Sequence, residues 1–586
     1  MIILGIGLQH DSGAAIIVDG HIQAAVNEER LNRQKLYWGW PEKSIAEVLR
    51  LSSLSPSDID AVAIANTTHS TEAAHWEGVY PKDFKRRALI RMSQLGIARF
   101  IGGTQTGIAA YRLLNSKRLR SAGPQKFETL LRNMDIIAPI HYIDHHEAHL
   151  ASAYYTSGWD TCLNLSLDGV GDGYCSRIAT CQKGRMTVIH SLPFYHTPGQ
   201  YYGFVTGWAG FTPGKHEGKI TGLAAYGNAQ KAIHLFKERI TYDEKTFSFV
   251  NHGMWGWAEY ESLCKKLNGL DKADVAAAIQ QHIEDIITRY VAQAVQKTGH
   301  KRIALSGGLF ANVKLNQRVL EIPGVESIFI HPHMGDGGLC TGAALALCAH
   351  HQTLVPERLE HAYLGTEATD AQIEAELDRV GLPYSRHDNV EIIIAQKLAQ
   401  GRVVARVNGK MEYGPRALGN RSIIYQATDV TVNKWLNHRL NRTEFMPFAP
   451  AILKERAANY YITYPQADHA AEFMTITYNV TARCKQEAPA VVHVDNTARP
   501  QVVSAQTNPS FYRILKEYER LTGLPQVINT SFNMHEEPIV CTPSDAIRAF
   551  QQGHLDTLAI GAYIVDNPEM TTHQNVHSHK MVMQNG

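Results

Sequence analysis

Two stretches of this chain follow one plan, and that repetition limits the folds open to it more than any other feature. Residues Ile2 to Val26 read as an apolar strand, a polar loop Leu8-Gln9-His10-Asp11-Ser12-Gly13, a second strand Ala14 to Val18, an Asp19-Gly20 turn and a third strand. Residues Cys162 to Ile189 repeat it, with a strand Cys162 to Leu167, the loop Asp168-Gly169-Val170-Gly171-Asp172-Gly173, a second strand, a Lys183-Gly184 turn and a third strand. Such a repeat predicts two similar subdomains whose loops face one another across a cleft. Glycine in those loops lets backbone N–H groups approach an anion closely.

A third unit reads in parallel-sheet form. Strand Arg302 to Ser306 leads through Gly307-Gly308 into a helix from Asn312 to Leu320, and strand Ser327 to Ile330 leads through His331-Pro332-His333-Met334-Gly335-Asp336-Gly337-Gly338 into an apolar helix from Leu339 to Ala349. Strand, glycine turn and helix N-terminus together suit an anion or nucleotide, although a Gly-Gly pair alone fits a plain turn equally well. The stretch from His351 to Asp370 marks a boundary. Beyond it the sequence predicts helices Ala371 to Val380 and Ile392 to Gln400, strands Arg402 to Val407, Ser422 to Gln426, Phe473 to Val480 and Val491 to Val494, helix Phe511 to Leu521, strand Gln526 to Ile528, a helix opened by Thr542-Pro543-Ser544-Asp545, and a frayed polar tail after Asp566.

With 586 residues the chain holds roughly three to five folding units. A net charge of +1 argues against a polyanion as main partner, since nucleic-acid binding leaves a basic footprint. The 8 cysteines form no CxxC and read as buried thiols of a reducing compartment. No leader or membrane-spanning run appears, so a cytoplasmic protein is expected. The 29 histidines are a surplus that metal or proton chemistry would explain.

Several clusters carry candidate chemistry. In Asp144-His145-His146-Glu147-Ala148-His149, His145 and His149 share a helix face and can bind one metal; alone, the pair fits a polar face capped by Asp144 better. Asp168 and Asp336 sit in glycine loops at strand ends, and two His plus two Asp would suit iron, manganese or zinc. Arg416 and Arg421, in Glu412-Tyr413-Gly414-Pro415-Arg416-Ala417-Leu418-Gly419-Asn420-Arg421, offer planar forks for phosphate or carboxylate. Together with Arg499 and the Asn529-Thr530-Ser531 strand end they suggest a site for a small phosphorylated substrate. His10-Asp11 reads as a general base with its orienting carboxylate, or equally as a structural pair.

Eleven motifs in order carry a resemblance: GLQHDSGAAIIVDG, NEERLNRQK, HHEAHLASAYY, LSLDGVGDG, GKITGLAAYG, LSGGLFANVKLNQ, GDGG, YGPRALGNRS, PFAPAIL, TARPQVV and INTSFNMHEEPIV. The chain resembles the bacterial O-carbamoyltransferases of the nodulation-protein and antibiotic-tailoring type over nearly its whole length. That resemblance implies an α/β protein of two modules. Residues 1–355 would form a duplicated actin, hexokinase and chaperone-ATPase-like fold with an inserted specificity region at about 67–139, and residues 356–586 a threonylcarbamoyl-adenylate synthase-like domain. The C-terminal module would make carbamoyl-adenylate from carbamoyl phosphate and ATP with Mg(2+), and the N-terminal cleft would pass the carbamoyl group to a hydroxyl of a small-molecule acceptor.

The resemblance further implies metal ligation, by iron as Fe(2+), through His145, His149, Asp168 and Asp336. It implies nucleotide contacts at Lys35, Gly169, Lys219, Gly307, Gly308 and Asn312, a place for His10 beside the acceptor hydroxyl, and a donor anion site at Arg416, Arg499, Asn529 and Ser531. A homodimer and a role in antibiotic or secondary-metabolite synthesis accord with it. One departure stands out: where the family carries a Lys and an Arg before Pro-Phe-Ala-Pro, this chain has Asn441 and Met446, leaving Arg439 or Arg442 to compensate. Two other readings are a tRNA-modifying enzyme built from the same folds and a non-catalytic nucleotide-regulated binding protein.

Overall fold

A computed structural model describes residues 1–67, 103–104, 106–109, 124–442 and 445–567. Most of the expected specificity region, with its Trp76 and Tyr80, and the polar tail at 568–586 lie outside the described residues. The first meander forms strands β1 (Ile2–Gly7), β2 (Gly13–Val18) and β3 (His21–Asn27), each antiparallel to the next. Strands β4 (Ala61–Ala65) and β5 (Ile140–Ile143) then add in parallel beside β1, giving the order β3-β2-β1-β4-β5.

The second meander, β6 (Cys162–Gly171), β7 (Tyr174–Gln182) and β8 (Arg185–Pro193), builds the same sheet again. After a hairpin, β9 (Ile240–Asp243) and β10 (Ser248–Asn251), and the long helix Lys272–Thr298, strands β11 (Arg302–Ser306) and β12 (Ser327–Ile330) join β6 in parallel. The order is β12-β11-β6-β7-β8, the first sheet's plan repeated. This corrects the reading of three units: β11 and β12 complete the second one. It also shows the duplicated α/β arrangement that the resemblance implies. Asp168 to Gly171 is likewise no free loop but extended chain continuing β6, with a register shift between Leu167 and Gly171 and the turn confined to Asp172-Gly173.

Each half ends by sending a helix onto the other half. Helix His145–Tyr155 follows β5 yet packs on β6, β7 and β11; helix Leu339–His351 follows β12 yet packs on β1, β2 and β4. Both are nearly all buried, which suits their apolar, small-residue composition. The two helices meet so closely that a Cβ on Gly342 would lie 1.9 Å from the Ala148 carbonyl oxygen. A Cβ on Gly5 of β1 would lie 2.0 Å from the Cys340 carbonyl oxygen.

Beyond residue 370 an eight-stranded mixed sheet runs β13 (Ser385–Arg386), β22 (Tyr563–Asp566), β21 (Thr557–Ile560), β14 (Val404–Val407), β15 (Arg421–Gln426), β20 (Gln526–Ser531), β16 (Ala449–Leu453) and β19 (Gln501–Val503). Two expected strands fail. Phe473 to Val480 contributes only Tyr478–Asn479 (β17), paired with Thr497–Ala498 (β18), because the short helix Asp468–Glu472 ends into it. Val491 closes a one-turn 3-10 helix started at Pro489, so Val491 to Val494 is not a strand. No helix among the described residues is long and apolar enough to cross a membrane, and all eight cysteines are unpaired thiols, seven of them buried.

Gly342→Val should cost at least about 1–3 kcal/mol, since backbone cannot yield as a flexible side chain does. Denaturant unfolding that matched the wild type would show that the helix crossing is looser than described.

Candidate metal centre and the loops around it

The first half's helix begins between two carboxylates. Asp144 caps it through the His146 and Glu147 N–H groups and is held in turn by Arg177 at 2.9 Å. The wholly buried Asp172 accepts from the His145 N–H at 2.9 Å and from the Thr67 N–H. With its start fixed, the helix places His145 and His149 one turn apart, 4.7 Å between ring centroids and both buried.

Asp168 reaches them from β6: its Oδ2 lies 3.1 Å from His145 Nε2 and 3.2 Å from His149 Nε2, while its Oδ1 accepts from the Gly169 and Gly308 N–H groups. Asp336, in the turn before helix Leu339–His351, closes the set with Oδ1 at 3.7 Å and 3.6 Å from the same two nitrogens. One donor atom from each of the four lies within 4.8 Å of the others. Thus the first half's helix, the second meander and the turn ahead of the other exchanged helix deliver ligands to one point.

The donor set fits a cation. The Asn66 amide oxygen lies 2.8 Å from His145 Nδ1, so Nδ1 carries the hydrogen and Nε2 turns a lone pair toward carboxylate oxygens. Lone pairs face each other there unless a proton or metal ion lies between them. Asp336 Oδ1 and His149 Nδ1 are buried without a hydrogen bond. Burial lowers the basicity of His149, but the facing Asp168 and Asp336 carboxylates prevail and raise its pKa to about 9. Burial likewise opposes ionisation of Asp168, yet the two imidazoles of His145 and His149 facing it hold its carboxyl well below the usual range. Metal binding at such a cluster displaces protons.

His10 stands at the rim, its side chain 31% exposed, with Nε2 3.5 Å from Asp336 Oδ2 and the Trp38 ring edge-on at 6.1 Å. The carboxylate it meets is Asp336; no hydrogen bond joins it to Asp11. Burial, and then the nearby Glu29 carboxylate, raise the Asp11 pKa to about 7.

Of the six expected nucleotide residues, four border this cluster or its neighbouring helix. Gly169 and Gly308 flank Asp168, Gly307 donates to the Met334 carbonyl at 2.6 Å, and Asn312 caps helix Val313–Leu320 while exchanging hydrogen bonds with Gln280. At Gly307 a φ of +99° and a would-be Cβ 2.3 Å from the Leu167 carbonyl oxygen leave room for glycine alone. Lys219 is buried with its ammonium 5.3 Å from the centroid of the Phe211 ring, and Lys35 is exposed.

In the C-terminal sheet the expected anion residues separate into two sets. Arg421 is wholly buried and donates to the Asn408, Gly409, Asn420 and Thr366 carbonyls, so its guanidinium braces a loop. Asn529 is also buried, binding the Ala417 carbonyl and the Gln501 amide oxygen. By that stitching it draws together the segments that carry Arg416 and Arg499, both half-buried. Ser531 ends β20, and there Arg442 donates to Thr530 Oγ1 at 3.1 Å, the Ser531 carbonyl at 2.6 Å and Asn533 Oδ1 at 3.0 Å. Arg439 instead pairs with Asp556 and lies on Trp435. The sequence left Arg439 and Arg442 as alternatives; the geometry puts Arg442 at Ser531. Asn66, Asp172 and Glu412 were missed, since a lone Asn, Asp or Glu gives no spacing signal.

A family model described as Carbamoyltransferase N-terminus matches residues 2–345, and one described as Carbamoyltransferase C-terminus matches residues 395–567. The uncharacterized protein sll1178 of Synechocystis sp. is 30% identical over 96% of this chain and 96% of its own length. Nodulation protein NolNO of Sinorhizobium fredii is 30% identical over 95% of this chain and 79% of its own. Among solved structures, component A of the Acidaminococcus fermentans (R)-2-hydroxyglutaryl-CoA dehydratase aligns with 15% identity and a TM-score of 0.33, over 59% of this chain and 96% of that one.

A Cβ on Gly171 would lie 2.0 Å from His145 Cδ2. Gly171→Ala should therefore weaken Co2+ or Fe2+ binding by roughly ten- to hundredfold with the circular-dichroism spectrum retained. Unchanged affinity in a metal titration would remove His145 from the ligand set.

Proposed function

Because the chain belongs to the carbamoyltransferase family, we propose that it is an ATP-dependent O-carbamoyltransferase whose two modules, residues 1–355 and 356–586, divide the reaction. The observation that carries this reading is the convergence of His145, His149, Asp168 and Asp336 beside a half-exposed His10. In the C-terminal module, once ATP is bound, water releases phosphate from carbamoyl phosphate. The carbamate oxygen then attacks the α-phosphorus of ATP, pyrophosphate leaves, and carbamoyl-adenylate results. Arg416, Arg499 and Ser531 bind the phosphoryl groups, with Arg442 as the cation that compensates for Asn441 and Met446.

The carbamoyl-adenylate then occupies the N-terminal cleft, where Gly169, Gly307, Gly308, Asn312, Lys35 and Lys219 hold its nucleotide part. A divalent ion, iron by the family resemblance, would supply Lewis-acid stabilisation of the charge that develops at the carbonyl and the departing phosphate. The chain's own residues do the rest. Asn66 fixes the ring of His145, and the Gly169 and Gly308 amides turn Asp168 Oδ2 toward the histidines. His10 receives the acceptor hydroxyl proton at Nε2, where the Asp336 carboxylate 3.5 Å away stabilises the imidazolium that forms. The acceptor is a hydroxyl-bearing small molecule.

Incubation with ATP, carbamoyl phosphate and Fe(2+) should release pyrophosphate and form carbamoyl-adenylate; absence of both defeats this reading at its first step. His145→Ala should retain pyrophosphate release and lose transfer, and loss of both together would place the ion in the wrong module. Arg442→Ala should slow adenylate formation roughly ten- to hundredfold, as removal of a charge-assisted contact of about 1.5–3 kcal/mol implies; an unchanged rate would return the anion site to Arg416 and Arg499 alone.

A further inference from the structure

One loop of the C-terminal sheet touches both proposed sites. Between β14 and β15 the chain winds around the Glu412 carboxylate, whose Oε1 accepts from the Leu418, Asn420 and Arg421 N–H groups at 2.7, 2.7 and 3.1 Å. Arg416 lies on this wound segment. Next to Glu412, Tyr413 is buried against the N-terminal module, among Ala15, Ala25 and Cys340. It is 3% exposed, and its hydroxyl donates to the Gly337 carbonyl at 2.7 Å, the residue directly after the candidate ligand Asp336. Its ring stands edge-on to His333 at 5.0 Å, and His333 Nε2 lies 3.1 Å from Asn27 Oδ1. The next carbonyl, Gly414, accepts from Arg30 Nη2 at 2.9 Å.

A buried tyrosine hydroxyl needs partners, and here it donates to the backbone of the Asp336 turn while Cys340 Sγ and Thr341 Oγ1 lie at 3.3 and 3.4 Å. Glu412 and Tyr413 are consecutive, so one short segment joins the backbone wound around the Glu412 carboxylate to the Gly337 carbonyl.

We propose that Tyr413 is a positioning residue that couples the two sites: occupancy of the donor site at Arg416 changes the geometry, and hence the cation affinity, of the His145, His149, Asp168 and Asp336 cluster. The proposal rests on the function proposed above and adds a regulation of it. Coupling between two binding equilibria is reciprocal, so it is read without turnover.

The test titrates Co2+ into the full chain, following visible absorption, with and without carbamoyl phosphate and with no ATP or acceptor present. Carbamoyl phosphate is expected to shift the wild-type Co2+ dissociation constant by about tenfold. In Tyr413→Phe the shift should fall below twofold, although calorimetry still detects carbamoyl phosphate binding. A full shift in Tyr413→Phe overturns the proposal, as does independent binding of the two ligands in the wild type. If carbamoyl phosphate gives no calorimetric signal with the wild type, the donor-site assignment has failed and the coupling falls with it. Arg30→Lys, which withdraws the guanidinium from the Gly414 carbonyl, is the second probe if Tyr413→Phe does not fold. A full shift there counts equally against the proposal.

Discussion

Everything around the candidate metal centre depends on how closely two helices approach at Gly342. The His145–Tyr155 helix can lie on the second sheet, and the Leu339–His351 helix on the first, only if their backbones nearly touch where they cross. Small side chains allow it: Ala148, Ala151 and Ser152 on one helix, Gly342, Ala343 and Ala346 on the other. Because three of the four ligands sit at the start of one helix or just ahead of the other, their separations are set by core packing. A close-packed interior transmits strain, so the centre inherits the stiffness of the core.

The two modules meet through side chains from several motifs. Arg33 donates to the Pro538 and Ile539 carbonyls and pairs with Asp545, while Lys215 and His216 both pair with Glu536. Phe445 lies against Phe211, and a Cβ on Gly222 would lie 2.6 Å from Met446 Cγ. Met446, where the resemblance implies a charged residue, therefore packs against the helix that bears Lys219.

Local patterning made much of the molecule legible. Alternating apolar runs and glycine turns marked both meanders, and i,i+4 spacing marked His145 and His149. Other features needed partners distant in sequence. Ala61–Ala65 is short and becomes a strand by pairing with β1 and β5; Ala449–Leu453 is crossed by Pro450 and lies between β20 and β19. Nothing in the chain's order revealed that β11 and β12 extend the second meander. The side chains of one motif also divide between roles: Arg416 and Arg421 are five residues apart, yet Arg421 spends its donors on four carbonyls. Which way a guanidinium turns is decided by buried carbonyls that the motif does not contain.

The exchange of helices also bears on the order in which the protein can fold as it is made. Strands β1 to β5 are complete once residue 143 has been synthesised, but the apolar face of that sheet is covered by a helix that starts at Leu339. Contacts so distant in sequence carry a large loop-closure cost before they return any stability. The first sheet must therefore wait with its face exposed while nearly two hundred further residues, from 144 to 338, leave the ribosome, a window in which aggregation or chaperone capture competes with closure of the fold.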